Sequence, residues 1–452
     1  MIHAFRYSHH ENTFYFLWDI ESGSLHLIDY DTYLVASYDN SSLEELERED
    51  YNKLDNNIVN EIREELISLE KSGLINMPIS VCEHHGRREI KALCLNICHD
   101  CNLKCKYCFG NEGTYNTARD YMSAEVAKAS VDFLIANSGT RQSLEIDFFG
   151  GEPLMNMEAV RATIDYAREQ APLYNKTFNF TITTNGVLLN KENINYINAN
   201  MYNVILSLDG REHIHDNARP TANGKGSYST ILPKMLNFAK ERGDRQYYVR
   251  GTFTHNNLDF SSDVLHMNDL GFRQISVEPV VLPTDHPLAI QENDIPKLKK
   301  EYDSLATAYL DRRLDDKTWF NFFHFMIDLD NGPCITKRLT GCGAGSEYLA
   351  ISPLGDIYPC HQFVGETDFI MGSVLSNTFD RNSQSIFRSI NVLGKTECTN
   401  CMAKYFCSGG CTANAYHFNS DLNKPYLEAC QLMRKRLELS LAIYAIEKYN
   451  LL

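Results

Sequence analysis

The chain has 452 residues, a formal net charge of −16 and 43% hydrophobic residues. This length exceeds that of one ordinary domain and predicts two to four domains. The excess of acidic residues argues against a nucleic-acid partner, because binding to a polyphosphate requires a basic surface. The sequence has no apolar run of about 18 residues and no apolar segment after its first residues, so we expect a cytoplasmic protein without a membrane partner.

Fourteen cysteines are a high count for a chain of this size. Because the cytosol keeps thiols reduced, we expect these cysteines to bind metal rather than to form disulfides. They fall into two groups, at 94–108 and 334–430, with Cys82 just before the first. Cys94 lies in a predicted buried strand, which is typical of a structural thiol.

Residues 1–78 are predicted to form a first unit. Strands at 13–20 and 24–28 would form a hairpin, followed by a helix at 56–72 with apolar side chains on one face. A hairpin with helices resembles a winged helix–turn–helix. This helix is more acidic than basic, however, so DNA is a poor match.

Residues 90–285 alternate between strand and helix patterns. The six strand-like runs are 93–97, 144–149, 178–183, 204–207, 248–254 and 275–281. Strands that alternate with amphipathic helices, such as the helix expected over 124–136 after Ser123, form a parallel sheet through right-handed crossovers. The fold class is therefore α/β, and six repeats predict a partial (β/α)6 barrel with its ligand groups at the carboxyl ends of the strands.

The remaining sequence divides into three parts. Residues 286–333 are polar and then aromatic, and we expect them to bridge to the next unit. Residues 334–430 are rich in cysteine and poor in periodic apolar residues, so bound metal would have to stabilise them. Residues 431–452 complete a long helix predicted over 427–449.

Cys101, Cys105 and Cys108 follow the first strand of the predicted barrel in the segment HDCNLKCKYCFG. Three thiolates this close in sequence can bind three irons of a four-iron cluster and leave the fourth iron open to another ligand. A zinc site is the alternative. Zinc in structural sites takes four protein ligands, and here His99 would have to supply the fourth.

This C-x3-C-x2-C segment, with the aromatic Tyr107 before its third cysteine, resembles the radical S-adenosylmethionine (SAM) superfamily. The resemblance implies that a four-iron cluster at the three cysteines cleaves SAM and that the strand ends contact SAM. The residues implied in this binding are Tyr107, Gly150, Gly151, Glu152, Pro153, Thr184, Asn185, Ser207, Asp209, Arg219 and Arg250. Glu152 would accept from the SAM ammonium, and the two arginines would pair with its carboxylate.

A second cysteine pattern, Cys398-x2-Cys401-x5-Cys407-x3-Cys411, lies farther along the chain. With Cys342 and Cys360 before it and Cys430 after it, this pattern resembles the seven-cysteine SPASM domain of peptide-modifying radical SAM enzymes. The resemblance implies two auxiliary four-iron clusters, and therefore three clusters in all. The outer auxiliary cluster would be held by Cys398, Cys401, Cys407 and Cys430, and the inner one by Cys342, Cys360 and Cys411.

The fourth ligand of the inner cluster is open to two interpretations. In sulfatase maturases a second cysteine follows shortly after the first, where this chain has Ser346-Glu347-Tyr348. Either Cys334 replaces that cysteine or one iron is open. We favour an open iron, because Cys334 precedes Cys342 rather than following it, and an open iron could bind a substrate thiolate.

The order of the three units, the chain length and the segments MIHAF and GDIYPCHQFVG resemble the SCIFF maturases, which act on small peptides with six cysteines in forty-five residues. This resemblance implies that residues 1–78 are an RRE domain, which binds the leader of a ribosomal precursor peptide by strand addition. It also implies a cytoplasmic enzyme of an anaerobic bacterium, with an electron donor such as flavodoxin or ferredoxin.

The resemblance implies an enzyme that installs a thioether between a cysteine sulfur and a carbon of another residue, such as threonine. A radical derived from SAM would take hydrogen from that carbon, and the inner cluster would bind the thiolate and accept the surplus electron. Epimerisation and carbon–carbon cross-linking are alternatives. Sulfatase maturation is less favoured, because those maturases have an aspartate base where this chain has His361.

Overall fold

The computed structural model of the protein describes residues 1–39, 43–76, 89–330 and 335–452. Its strands are β1 (Ile2–His9), β2 (Asn12–Asp19), β3 (Ser24–Ile28), β4 (Ala92–Asn96), β5 (Ser143–Phe149), β6 (Thr177–Thr184), β7 (Asn203–Ser207), β8 (Tyr248–Phe253), β9 (Gln274–Pro279), β10 (Asn321–Phe322), β11 (Tyr348–Ile351), β12 (Ile357–Tyr358), β13 (Gly372–Ser373) and β14 (Thr378–Phe379). Its helices are α1 (Tyr30–Asp39), α2 (Glu45–Lys53), α3 (Asn56–Lys71), α4 (Ala124–Asn137), α5 (Met157–Gln170), α6 (Lys191–Asn200), α7 (Glu212–Ala218), α8 (Tyr228–Arg242), α9 (Phe260–Asp269), α10 (Ile295–Arg313), α11 (Ile335–Thr340), α12 (Arg381–Ser389), α13 (Lys404–Cys407), α14 (Thr412–Asn419) and α15 (Leu427–Tyr449). No helix within these ranges is long and apolar enough to cross a membrane.

A sheet of nine strands forms the centre of the molecule, in the order β10-β9-β8-β7-β6-β5-β4-β11-β12. The strands β4 to β9 are adjacent and parallel, so the predicted α/β class and the six parallel strands are confirmed. Three short strands extend the sheet beyond this prediction: β10 and β11 in parallel and β12 antiparallel. The carboxyl ends of the six predicted strands therefore lie together along one edge of the sheet.

Polar side chains cap the helices that follow the barrel strands. The Oγ of Ser123 accepts from the backbone N–H of Val126 at the start of α4, at 3.2 Å. Asn156 and Asn190 cap α5 and α6 in the same way. Each cap pairs a backbone N–H that a helix start otherwise leaves unpaired. The caps thereby fix where each helix begins and how long the preceding strand-end loop is.

The amino-terminal residues form a three-stranded antiparallel sheet, in the order β1-β2-β3, followed by α1, α2 and α3. The predicted hairpin is present as β2 and β3, and the predicted helix is present as α3. Asp55 caps the start of α3, and Gly73 adopts φ +72° just after its end. The strand β1 is an addition that the sequence pattern did not predict.

One face of this small sheet packs directly on the barrel core. Phe5, Phe16 and Trp18 belong to the same buried cluster as the barrel strands. Trp18 is fully buried, and its Nε1 donates to the backbone oxygen of Met402 at 3.2 Å. The other face has a separate small cluster that includes Leu34 of α1. The amino-terminal residues are therefore not packed as a unit of their own, because their helices cover only one face of the sheet.

The carboxyl-terminal part is joined to the barrel through the same central sheet. The strand β11 pairs with β4, and the long helix α15, which the sequence predicted, packs against α10. In α15, the Oγ of Ser440 donates to the backbone oxygen of His324 at 3.0 Å, and Glu438 lies 2.9 Å from His3 of β1. The three predicted units consequently share one hydrophobic core.

Replacing Trp18 by alanine should destabilise the whole molecule by about 3–5 kcal/mol, because this buried side chain connects the small sheet to the shared core. Leu27→Ala is the matched control. Leu27 lies on the neighbouring strand and is 54% exposed, so its loss should cost less than about 1 kcal/mol. Urea unfolding followed by circular dichroism measures both. A Trp18→Ala variant whose barrel unfolds at the wild-type urea concentration would contradict a shared cooperative core.

Candidate cluster and SAM site

The first cysteine loop lies at the carboxyl end of β4. The backbone N–H groups of Lys104 and Lys106 donate to the carbonyl oxygens of Pro220 and Ala218, at 2.8 and 2.9 Å. Within the loop, the N–H of Cys108 donates to the oxygen of Cys105 at 3.1 Å. The loop is therefore held on the segment that follows α7, and its three cysteines have fixed backbone positions.

Nitrogen donors approach two of the three sulfurs. The Nδ2 of Asn185 lies 3.7 Å from the Sγ of Cys101, and the Nη1 of Arg219 lies 3.8 Å from the Sγ of Cys105. Burial raises the pKa of the Cys105 thiol to about 11, so the metal-free thiol is neutral near pH 7. Metal ligands are thiolates, which N–H donors stabilise. The donor set around these sulfurs thus fits an iron–sulfur cluster.

The zinc alternative is poorly matched by the geometry. Four ligands about 2.3 Å from one zinc ion lie less than about 4 Å from each other. Within the described ranges, no three cysteine, histidine or carboxylate ligand atoms in this loop lie within 4.8 Å of one another. The Nδ1 of His99 is 2.7 Å from the Oγ1 of Thr117, and its ring stacks on Tyr115. A four-iron cluster is wider than one ion and holds its cysteines farther apart.

Gly150 and Gly151, after β5, lie against the cysteine loop. The N–H of Gly151 donates to the oxygen of Cys98 at 2.9 Å, and the N–H of Glu152 donates to that of Asp100 at 2.9 Å. A Cβ on Gly151 would lie 1.8 Å from the oxygen of Asp100, and Gly150 has φ +122°. Only glycine permits this approach, which explains why the Gly-Gly-Glu-Pro segment stands beside the cysteines.

Glu152 is buried and bonded to the end of β6. Its carboxylate accepts from the Oγ1 of Thr184 at 2.8 Å and from the N–H groups of Asn185 and Leu154, at 2.8 and 3.1 Å. Burial raises the pKa of Glu152 to about 7. The side chain therefore connects two strand ends. Pro153 begins the short turn that follows.

Tyr107 and Arg219, which are both partly buried, form one network with the buried Asp209 at the cysteine loop. Asp209 is fully buried and accepts from the hydroxyl of Tyr107 at 2.6 Å and from the Nε of Arg219 at 3.0 Å. It also accepts from the N–H of Thr252 in β8, at 3.0 Å. The guanidinium of Arg219 lies 5.3 Å from the centre of the Tyr107 ring. These residues hold the loop on the sheet, and a contact of any of them with SAM remains a prediction.

Ser207 and Arg250 are partners across β7 and β8. The guanidinium of Arg250 forms an ion pair with Glu278 of β9 at 2.9 Å, and both side chains are partly exposed. The charge of Arg250 also acts on the half-buried imidazole of His361. Of the two arginines predicted to bind SAM, Arg250 therefore has the more exposed ion pair, whereas Arg219 is paired with the buried Asp209.

The seven cysteines of the second pattern form two sets. The thiols of Cys398, Cys401, Cys407 and Cys430 act electrostatically on each other, and those of Cys342, Cys360 and Cys411 do the same. The Nε2 of Gln362 lies 3.7 Å from the Sγ of Cys411. The two sets have the composition that the SPASM resemblance implies, and their role as cluster ligands remains a prediction.

The residues at the position of the missing cysteine have other partners. The Oγ of Ser346 donates to the oxygen of Gly343 at 3.0 Å, and Glu347 forms an ion pair with Arg141 at 2.9 Å. Cys334, the other candidate for the fourth ligand, lies outside the described residues, as does Cys82. Whether the inner set has a fourth ligand therefore remains a prediction.

Cys94 is one more cysteine whose thiol acts on Cys360. It is fully buried in β4, among Ala350 and Tyr358, and its thiol is hydrogen-bonded to Tyr348. This is the environment of a structural thiol, as the sequence pattern indicated.

His361 is a site residue that sequence reasoning noted only as a departure from the sulfatase maturases. Its ring packs against Phe109 and Phe149, with centroids 5.5 and 5.3 Å away, and its Nδ1 lies 3.1 Å from the hydroxyl of Tyr348. Burial lowers the pKa of His361 to about 4, so it is neutral near pH 7. Because Phe109 directly follows Cys108, these rings connect the first cysteine loop to the inner set. In the sequence, the only indication of this contact between the two cysteine regions is the pair of aromatic residues on either side of Cys108, Tyr107 and Phe109.

Asp209→Asn should destabilise the protein by about 3–5 kcal/mol, because the buried guanidinium of Arg219 loses its counter-charge. Glu278→Gln is the matched control: it removes the carboxylate from the exposed pair with Arg250, which should cost about 1 kcal/mol or less. Urea unfolding, with bound iron measured in parallel, tests both. Equal stability of the two variants would show that the buried pair does not hold the loop.

Comparison with known proteins agrees with this site. A family model described as a 4Fe-4S single cluster domain matches residues 86–233. The cysteine-type anaerobic sulfatase-maturating enzyme of Clostridium novyi is 28% identical over 330 residues, which are 70% of this chain and 86% of that protein. The radical SAM cyclopropyl synthase TigE of Paramaledivibacter caminithermalis is 24% identical over 436 residues, 89% of this chain and 86% of that protein.

Two solved structures share the fold. The enzyme anSMEcpe with bound AdoMet and the Cp18Cys peptide has a TM-score of 0.66 and 18% identity, and the match covers 80% of this chain and 100% of that chain. Streptococcus suis SuiB bound to the precursor peptide SuiA has a TM-score of 0.53 and 17% identity, covering 91% and 95%. The two structures show that the chain shares their fold, and the curated relatives show that it is similar in sequence, over most of its length, to an anaerobic sulfatase-maturating enzyme and to a radical SAM cyclopropyl synthase.

Proposed function

We propose that the protein installs a thioether between a cysteine sulfur and a carbon of another residue, such as threonine, in a ribosomally synthesised precursor peptide. The observation that carries this proposal is the inner set, in which Cys342, Cys360 and Cys411 lie together while Ser346 and Glu347 are committed elsewhere. A four-iron cluster bound there would supply an open iron, which deprotonates a substrate thiol without a protein base.

The reaction balances with SAM as the co-reactant. Forming one thioether removes a hydrogen atom from the carbon, a proton from the thiol and one electron. Cleavage of SAM to methionine and deoxyadenosine takes up one hydrogen atom and one electron. Each bond therefore consumes one SAM and releases one proton, with no net electron. A donor such as flavodoxin or ferredoxin is needed to start the reaction and not to sustain it.

The barrel residues divide into two roles under this proposal. Cys101, Cys105 and Cys108 hold the SAM-cleaving cluster, and the outer and inner sets hold two more, which makes three four-iron clusters. Arg250 pairs with the SAM carboxylate, because its present ion pair with Glu278 is partly exposed and can be exchanged at little cost. Glu152, Thr184, Asn185, Asp209 and Arg219 hold the surrounding loops in place.

Sulfatase maturation is the second candidate, because two of the curated relatives carry that name. The half-buried, neutral His361 occupies the position of the aspartate that the sulfatase maturases are expected to use as a base. A histidine in place of this aspartate indicates that the protein does not use the same base. Thioether formation as proposed requires no protein side chain as a base. The histidine at this position therefore favours peptide cross-linking over sulfatase maturation.

Mass spectrometry of a co-expressed precursor peptide separates these functions. A thioether is expected to remove two hydrogen atoms per bond and to make one cysteine per bond resistant to alkylation. Loss of two hydrogens with every cysteine still alkylated would indicate a carbon–carbon cross-link. An unchanged mass with altered chirality would indicate epimerisation. Conversion of a cysteine in a sulfatase-derived peptide, with no change in any precursor, would favour sulfatase maturation.

The reconstituted protein is expected to hold about twelve iron atoms, four in each of three clusters. Replacing Cys101, Cys105 and Cys108 together by alanine should leave about eight and abolish SAM cleavage, because the other two sets are untouched. Iron analysis and detection of deoxyadenosine measure the two effects. A triple variant that still forms deoxyadenosine would refute the assignment of the SAM-cleaving site.

We also propose that the leader of the precursor adds as a strand to β3, which pairs only with β2 in the described sheet. The N–H of Ile20 donates to the oxygen of Met1, so alternate residues of β2, including Leu17, bond to β3 rather than to β1. Leu17 lies opposite His26. The backbone groups of Leu27 consequently point to the free edge of the sheet.

Leu27→Pro should weaken binding of the precursor at least tenfold, because it removes a backbone donor that an added strand would use. Leu27→Ala keeps this donor and is the matched control, with little change expected. Cleavage of SAM without peptide should be unaffected in both variants. Binding of a labelled leader, measured by fluorescence anisotropy, tests the difference. Equal affinities for the proline and alanine variants would rule out strand addition at β3.

A further inference from the structure

Lys395 interacts electrostatically with cysteines of both sets of the carboxyl-terminal part. Its side chain is buried, and its Nζ donates to the backbone oxygen of Gly409 at 2.9 Å. Gly409 belongs to the three-residue turn from Cys407 of the outer set to Cys411 of the inner set. All three residues of the turn adopt positive φ, between 59° and 86°. The ammonium is therefore hydrogen-bonded to the turn that connects the two sets.

Among the described residues, no carboxylate oxygen lies within 4.0 Å of this ammonium to form an ion pair, and cysteines are the charged groups that act on it most strongly. The thiols whose charge acts on Lys395 are Cys398, Cys407 and Cys430 of the outer set and Cys411 of the inner set. A buried ammonium is strongly unfavourable without an opposite charge. Buried lysines usually have a carboxylate partner, as Lys404 does: its buried ammonium forms an ion pair with Glu21.

We propose that Lys395 is a counter-ion shared by the outer and inner cysteine sets and that its charge raises the reduction potentials of the clusters they bind. Thiolate-bound clusters carry negative charge, which grows on reduction, and a nearby buried cation stabilises the reduced form more than the oxidised form. This inference rests on the proposed auxiliary clusters. It assigns Lys395 a role in their electronics that is independent of which peptide is modified.

The test uses the triple alanine variant of Cys101, Cys105 and Cys108, in which only auxiliary clusters contribute to the signal. Lys395→Met removes the charge at similar length, and Lys395→Arg keeps it. Lys435→Met is the matched control, because the Lys435 ammonium is also partly buried but is paired with Asp303. Iron content and the midpoint potentials of the reduced clusters are measured by iron analysis and by redox titration with electron paramagnetic resonance.

A shift of the midpoint potentials to more negative values in Lys395→Met, absent from Lys395→Arg and Lys435→Met, is the expected result. Loss of iron in Lys395→Met but not in Lys395→Arg would also support the proposal. Full iron with unchanged potentials in Lys395→Met would overturn it, as would equal iron loss in both Lys395 variants. A parent protein without auxiliary iron would instead refute the clusters themselves, which separates this failure from that of Lys395.

A second, independent observation concerns the junction between the small sheet and the barrel. His9 ends β1, His10 follows it in the turn, and Asp311 lies near the end of α10. The Nε2 atoms of both histidines lie against the same oxygen of Asp311, at 3.0 and 2.9 Å. In the part of the chain that the structure describes, this is the one group of three such ligand atoms within 4.8 Å of each other.

We infer that His9, His10 and Asp311 form a binding site for a divalent transition metal such as zinc. Two imidazoles and a carboxylate are a ligand set that zinc uses, with a further position left for water. His9 is buried while His10 and Asp311 are exposed, so the site has an anchored ligand and an open path for entry. A metal bound there would connect the turn after β1 to α10 and fasten the small sheet to the barrel.

Equilibrium dialysis of the cluster-loaded protein against zinc, with metal analysis, tests this site. The intact protein should bind one zinc more than Asp311→Asn or His10→Ala. His26→Ala is the control, since His26 is an exposed histidine of the same sheet whose ring is hydrogen-bonded to Ser24. Zinc should also raise the melting temperature of the intact protein and not that of Asp311→Asn. Equal zinc content in all four proteins would refute the site.

Discussion

The buried ion pair between Asp209 and Arg219 connects the first cysteine loop to the end of the parallel sheet. Asp209 follows β7, and Arg219 follows α7 in the segment on which Lys104 and Lys106 are hydrogen-bonded. Neither buried charge is tolerable alone, so the position of one fixes the other. Tyr107, inside the cysteine loop, donates to the same carboxylate. The sulfurs therefore take their positions from the sheet, although they lie in an irregular loop.

A continuous hydrophobic core joins the amino-terminal sheet, the barrel and the carboxyl-terminal part, and it holds them in fixed positions relative to one another. The small amino-terminal sheet contributes Phe16 and Trp18 to the barrel core, and the carboxyl-terminal part adds β11 to the barrel sheet. The two edge strands of the small sheet, β1 and β3, each pair only with β2 among the described residues, and β3 is the edge proposed to bind the leader. A peptide held at that edge would have a fixed position relative to the barrel, since the sheet beneath it belongs to the same core.

The sequence predicts the parts of this structure that depend on local pattern. Six strands that alternate with amphipathic helices identify a parallel sheet, and Ser123 caps the helix that was predicted to follow it. The strands β10 and β12 have two residues each, too few for a period-two pattern to show. The packing of Trp18 on the carboxyl-terminal part joins residues 384 positions apart. No local signal predicts such a contact.

The site residues show the same division. Spacing alone separates the cysteines into the groups at 94–108 and 334–430. The division of the second group into an outer and an inner set follows from the resemblance to the SPASM domain. The hydrogen bonds that Asp209 and Glu152 form with other strand ends could not be predicted from the sequence. A polar residue at a strand end can bind a ligand or cap a neighbouring element, and the sequence pattern is the same in both cases. Lys395 was missed because a single lysine three residues before a cysteine carries no pattern. Lys395 stands out only in the structure, where its ammonium is buried without a carboxylate as an ion-pair partner among the described residues.

The cations beside the cysteine sets differ in whether a carboxylate neutralises them, and this difference affects the reduction potentials of clusters bound there. Arg219 lies beside Cys105, but Asp209 neutralises it, so the first set faces a pair with no net charge. Lys395 lies beside the other two sets without a carboxylate, and Arg436 adds a second positive charge near Cys407. With clusters bound as proposed, the first would be the harder to reduce and the auxiliary ones the easier. That order suits a strongly reducing centre for SAM cleavage and milder centres that accept an electron from the substrate.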